Sequence, residues 1–162
     1  MKKVLIIQNI HQSGIDLLKK RKDFKFEIIE NLDIENLKKK LTDVDAVSLK
    51  TLKFDEELIN ISKKLKIISR HGVGYDNVNT AVVKNNGIQL TITAKANAVS
   101  VAEHVIFMIL NISKRKNMYH DTVKSGKFTE RSKLPKTIEL WKKNILIAGF
   151  GRIGKSLIKR CL

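Results

Sequence analysis

The chain has 162 residues, room for one ordinary domain and the start of another, and its 43% apolar content supports a packed core and excludes wholesale disorder. A formal charge of +16 invites a nucleic-acid reading, but the lysines are spread along the chain and outnumber the arginines that make the better phosphate fork. No aromatic residues interleave with the basic runs to form a stacking platform, so the charge is read as solvated lysine-rich faces and no nucleic-acid partner is expected.

The lone cysteine, Cys161, excludes a disulfide framework and a thiolate metal site, and no metal is expected. The start Met1-Lys2-Lys3 leads into only four apolar residues, too few for a signal core. The most apolar helical stretch, Val101 to Ile112, carries Glu103 and His104 and is too short to cross a bilayer. A soluble, cytoplasmic protein with no membrane partner is therefore expected.

In chain order, Val4 to Gln8 is a continuous apolar run of the kind buried in a parallel sheet. Ser13 is placed to cap a helix carrying Ile15 and Leu18, and Phe24 to Ile29 alternates as a strand nearer an edge. Asp33 precedes a helix with Ile34, Leu37 and Leu41 on one face; Ala46 to Leu49 is a third strand. Asp55 precedes a helix with Leu58, Ile59 and Ile61, and Leu65 to Ile68 is a fourth strand. A helix from about Asn79 ends near Asn86 with Gly87 as its C-terminal cap, and Ile88 to Ile92 is a fifth strand. Strands alternating with helices predict an α/β fold with a parallel sheet covered on both faces.

The rhythm then changes. Ala98 to about Met118 reads as one long helix with Val101, Val105, Met108 and Ile112 along one stripe. Tyr119 to Leu140 is polar and basic without a sustained period, an arm or linker. Asn144 to Ala148 reads as an apolar strand, followed at once by Gly149-Phe-Gly151-Arg152-Ile153-Gly154 and a helix.

Two constellations carry chemistry. A Gly-x-Gly-x-x-Gly run between a strand and a helix fits a dinucleotide. Gly149 allows the tight turn, Gly151 the approach of a pyrophosphate, Gly154 close helix packing, and the helix N-terminus offers free amides. The other is Arg70-His71-Gly72-Val73-Gly74-Tyr75-Asp76-Asn77, after the fourth strand. Ligands bind at the carboxyl ends of parallel strands, and a Gly-Val-Gly loop can present successive amides to a carboxylate. Lys50 and Thr51 after the third strand, and Asn97 after the fifth, could add a cation, a hydroxyl and an amide. The alternative is a plain turn in which Asp76 caps the next helix.

Taken with Asn97-Ala-Val-Ser-Val-Ala-Glu-His104 and Leu140-Trp141, these motifs, in this order, resemble the D-isomer-specific 2-hydroxyacid dehydrogenases. That family includes D-3-phosphoglycerate, D-lactate, glyoxylate/hydroxypyruvate and formate dehydrogenases. The resemblance implies a flavodoxin-like substrate domain over residues 1–97, a long interdomain helix over 98–118 and an arm over 119–140. Residues 141–162 would then be the first strand, glycine turn and helix of a truncated Rossmann domain.

The resemblance further implies NAD as cofactor, a small 2-hydroxy or 2-oxo acid as substrate, and a homodimer built around the long helix and arm. The sequence does not decide NAD against NADP. By position, Val73 and Gly74 hold the substrate carboxylate with Lys50, Thr51 and Asn97 near it. Val73 also lies by the nicotinamide, and Gly149, Gly151, Arg152, Ile153 and Gly154 hold the cofactor. Lys50 stands where many relatives of the phosphoglycerate type carry arginine, a point charge in place of a fork. The family's acid–base histidine, its partner glutamate and its substrate arginine all follow the glycine run. No catalytic residue is therefore assigned in this chain, His71 and His104 included, and the chain alone is expected to be inactive. Its rivals are a non-catalytic acid-binding or regulatory module and, behind it, a basic nucleic-acid-binding protein.

Overall fold

Short strands and helices alternate through the first of two units, Met1–Ala96 and Asn97–Leu162, into which a computed structural model of residues 1–162 divides the chain. The first unit holds β1 (Lys2–Ile7), α1 (Gln12–Lys19), β2 (Phe24–Ile29), α2 (Ile34–Leu41), β3 (Ala46–Leu49), α3 (Glu56–Ile61), β4 (Ile67–Arg70), α4 (Thr80–Asn85) and β5 (Gln89–Ile92). All strands pair in parallel in the order β2-β1-β3-β4-β5, the flavodoxin-like arrangement.

Local chemistry sets the helix starts. Asp33 accepts from the Glu35 amide, Asp55 from Leu58 and Asn79 from Val82, each satisfying a donor the helix leaves free. At α1 the cap is His11 rather than Ser13: the imidazole accepts from the Ser13 amide at 3.2 Å. Gly87 follows α4 at φ +64°, the left-handed position that ends a helix and favours glycine.

Alternation along the strands builds one core. Leu5, Ile7, Val47, Leu49 and Ile68 face Leu37, Leu41, Leu58, Ile59 and Val83 from α2, α3 and α4, with Phe54 fully buried among them. Each such side chain contributes about 1.5–3 kcal/mol by burial. Ile6 points to the other face and is fully buried, as is most of Ile15 in α1. That second face is not covered throughout, contrary to the sequence expectation. Along β4 and β5 it presents Ser69, Gln89 and Thr91, all exposed, polar residues that need no cover. The fourth strand also begins two residues later than expected, at Ile67, because Leu65 closes a turn onto Ser62.

The second unit holds α5 (Ala98–Lys114), α6 (Lys116–Lys124), a 3-10 turn (Phe128–Lys133) and α7 (Arg152–Cys161). The expected single helix to Met118 is broken at Arg115, which takes φ +51°. The chain restarts as α6 inside what the sequence suggested was an aperiodic arm. Arg115 Nε donates to the Lys136 carbonyl at 3.1 Å, and the Ile138 amide to Ser113 at 2.8 Å, tying the later segment to this corner.

Along α5, Ala102 and Ser113 are buried with Val101, Val105, Ile106 and Ile109 partly so, whereas Met108 and Ile112 of the expected stripe are exposed. The strand expected at Asn144 to Ala148 does not form. Its residues exchange no backbone hydrogen bonds, and Leu146 is 94% exposed, because the unit offers no second strand to pair with. No helix is long and apolar enough to cross a membrane, and no group of side chains is arranged to hold a metal ion.

Candidate functional site

The sheet register brings Ile7, Leu49, Arg70 and Ile92 into one paired row across β1, β3, β4 and β5. The residues that follow, Gln8, Lys50, His71 and Thr93, therefore start their loops along a single carboxyl edge. That is where the topology of a parallel sheet places ligands.

The β4–α4 loop is held at both ends. The His71 amide donates to the Leu49 carbonyl at 2.7 Å, and Thr93 donates to Gly72 at 3.0 Å. Asn77 Nδ2 donates to the Leu52 carbonyl at 2.7 Å, and the Phe54 amide to Asn77 at 2.7 Å. Between these ties the amides of Val73, Gly74, Tyr75 and Asp76 have no acceptor in the chain, Val73 and Gly74 being the two within the Gly-Val-Gly turn. Two adjacent free N–H groups on an anchored loop are suited to accept an anion.

Gly72 sits at φ +157°, and a Cβ there would have to displace the Arg70 guanidinium, which occupies that space. Arg70 Nη1 donates to the His71 carbonyl at 3.0 Å, while its Nε is buried without a partner. Asp76 does not cap α4; Asn79 does, and Asp76 Oδ2 lies 3.3 Å from where a Cβ on Gly74 would be.

Lys50 and Thr51 are exposed on the same edge. Thr51 is fixed by Gln8, a residue the sequence did not single out: Gln8 Oε1 accepts from the Thr51 amide at 2.7 Å. Asn97 opens the second unit at the N-terminus of α5, exposed, its side chain making no cap hydrogen bond. His71 and His104 are both exposed, and His104 lies against Phe107.

In the second unit the glycine turn precedes α7. Gly149 has φ +98°, a conformation that favours glycine. A Cβ on Gly154 would strike the Gly149 carbonyl oxygen, so the helix can sit this close only without one. A Cβ on Gly151 would meet nothing within 4 Å, leaving open space at the helix start. The amides of Arg152, Ile153 and Gly154 have no acceptor, and the first free tie is Lys155 to Gly151 at 2.9 Å. Free amides and a positive dipole end above open space suit a phosphate. Arg152 and Ile153 are exposed there.

The perturbed carboxylates lie elsewhere, Asp43 and Asp45 before β3 and Asp23 before β2. Lys3 and Lys64 both bond Asp43, and they hold its carboxyl down to about 2. Basic and aromatic side chains also pair locally in the second unit. Arg131 lies over Phe128 at 4.2 Å and Lys142 over Trp141 at 4.3 Å. In both pairs the cation covers a face of the ring.

Residues 4–146 match the family model described as the D-isomer specific 2-hydroxyacid dehydrogenase catalytic domain. The chain belongs to that family. Among curated relatives, D-3-phosphoglycerate dehydrogenase of Archaeoglobus fulgidus is 33% identical over 160 residues, covering 98% of this chain and 30% of that protein. The solved D-lactate dehydrogenase from Aquifex aeolicus, complexed with NAD and lactic acid, aligns with TM-score 0.85 and 28% identity, covering 98% of this chain and 47% of that one. A glyoxylate/hydroxypyruvate reductase from Sinorhizobium meliloti, in complex with NADP and malonate, shares the fold with TM-score 0.81 at 23% identity, covering 98% and 49%. This dehydrogenase-family chain thus spans less than half the length of each of these three proteins.

Proposed function

We propose that these residues form the acid-binding edge and the first phosphate-binding turn of an oxidoreductase acting on the CH–OH group of a small D-2-hydroxy acid with NAD or NADP. The observation that carries this reading is the pair of free amides at Val73 and Gly74 on an anchored loop at the carboxyl edge of the sheet. A carboxylate seated there accepts both N–H bonds. Lys50 adds a nearby positive charge, Thr51 a hydroxyl and Asn97 an amide that orients the acid. The charge-assisted bonds are the strong ones, each about 1.5–3 kcal/mol.

The glycine turn fits a dinucleotide: Gly149, Gly151 and Gly154 give its shape, and Arg152 and Ile153 lie at the start of α7. When bound, the dinucleotide supplies the hydride acceptor for the carbon that bears the hydroxyl. The residues present bind and orient, with Val73 near the nicotinamide. No side chain of residues 1–162 is assigned to move the hydroxyl proton, so hydride transfer is proposed to need residues outside these 162.

The proposal includes a homodimer. Phe107, Met108, Leu110 and Ile112 of α5, with Met118 and Val123 of α6, are all exposed, apolar side chains of which a second copy would remove a part from water.

Titrating the 15N-labelled chain with D-lactate and D-3-phosphoglycerate tests the central assignment. Saturable shifts at the Val73 and Gly74 amides are expected, lost when Gly74→Val fills the loop. Unsaturable shifts scattered over the lysine-rich helices would refute it.

A further inference from the structure

Gln8 directly follows β1 with φ +65°, a left-handed conformation that a residue bearing a Cβ adopts at a free-energy cost. Its amide is held by the Ile29 carbonyl at 2.9 Å. Its side chain turns to the loop after β3. Gln8 Oε1 accepts from the Thr51 amide at 2.7 Å and the Leu52 amide at 3.2 Å, and Nε2 donates to Thr51 Oγ1 at 2.9 Å. Thr51 Oγ1 also lies 3.0 Å from Oε1, but that oxygen already serves two amides.

A glycine at this position would relieve the backbone, and what it would give up are these contacts with Thr51 and Leu52. The strain is therefore retained for the loop. Oε1, already accepting from two amides, is the hydroxyl's acceptor within the chain at 3.0 Å, and an acceptor outside the chain can compete for that proton. Thr51 shares its edge with the free amides of Val73 and Gly74, so an acid held by those amides would be on the same side of the sheet as the hydroxyl.

We infer that Gln8 is a positioning residue for acid binding: it fixes the Thr51 loop and aims the Thr51 hydroxyl as a donor to an oxygen of the bound 2-hydroxy acid. This rests on the reading of the carboxyl edge as an acid site. Gln8 itself touches Thr51 and Leu52 and not the acid.

A double-mutant cycle on the 162-residue chain tests it, with D-lactate and D-3-phosphoglycerate titrated calorimetrically and amide exchange read by NMR. Gln8→Gly is expected to leave the urea midpoint unchanged or raised, free the Thr51 and Leu52 amides to exchange, and weaken acid binding about ten-fold. Thr51→Val should weaken binding about as much while those amides stay protected. The double variant should lose about ten-fold and not about a hundred-fold, because both changes remove the same interaction. If Gln8→Gly does not fold, Gln8→Asn replaces it. Asparagine tolerates the left-handed conformation and is one methylene too short to reach both Thr51 groups.

Affinity within two-fold of the parent chain in these Gln8 variants, or losses that multiply, would overturn the inference and leave the acid site standing. If the parent chain binds neither acid, the acid site itself falls, and the inference with it, even where the Gln8 variants free the two amides.

Discussion

Asp43 lies before β3, where the ammonium groups of Lys3 and Lys64 both bond its carboxylate. Hydrogen bonding from Lys3 is the largest cause of its depressed pKa, then Lys64, and together they bring it from the ordinary 3.8 to about 2. Asp45 is lowered in the same sense, first by the Lys3 amide and then by Lys2. A carboxyl depressed on folding stabilises the native state fully above its unfolded value. That contribution fades as pH falls through the folded one. The urea midpoint of the parent chain should therefore fall more between about pH 4 and pH 2 than that of Asp43→Asn, followed by circular dichroism. Equal slopes would show that the two lysine contacts are not kept in solution.

At the same scale, the caps Asp33 and Asp55 were legible because the amide each one accepts lies two or three residues away, whereas at α4 the cap is Asn79 and not the Asp76 that the sequence also offered. Ser13 was misread since His11 offers a competing acceptor at the same helix start. The role of Gln8 was not legible at all, for its partner Thr51 is 43 residues further on and only the strand order brings them together.

Among the elements, the five strands and four helices of the first unit were readable because each carries its own period, punctuated by caps and glycine. α5 was not fully readable. Apolar residues occupy most of its positions, so the stripe Val101, Val105, Met108, Ile112 and the observed stripe of Ala102, Val105, Ile106, Ile109 fit the same sequence. Only tertiary packing, here α7 with Leu157 buried and Arg160 bonded to Glu103 at 3.0 Å, decides between them.

Asn144 to Ala148 has the composition of a strand, but a strand is completed by its neighbour, and composition cannot supply one. Its amides should exchange at close to the rate of an unstructured peptide, while those of β1, β3 and β4 are protected to the level of global unfolding. Slow exchange at Ile145 to Ile147 would mean that the segment has found a partner strand, and concentration dependence would show whether a second copy provides it.

For the whole molecule, fold and family were legible together, since the Arg70–Asn77 loop, the Asn97–His104 helix start and the glycine turn occur in one order. The matched family segment, residues 4–146, contains the first two and stops before the third. The charge of +16 carried no comparable information, being distributed over both units. Residues 1–162 are proposed to hold the acid and the phosphates without completing the chemistry. General acid–base catalysis typically contributes about 10²–10⁴-fold, and alignment of hydride with acceptor carbon contributes more. The decisive measurement mixes the purified chain with NADH or NADPH and a panel of 2-oxo acids and follows the nicotinamide absorbance. No loss above the uncatalysed rate is expected. Steady loss that Gly151→Leu abolishes would contradict this, showing that residues 1–162, alone or with a second copy, already complete the site.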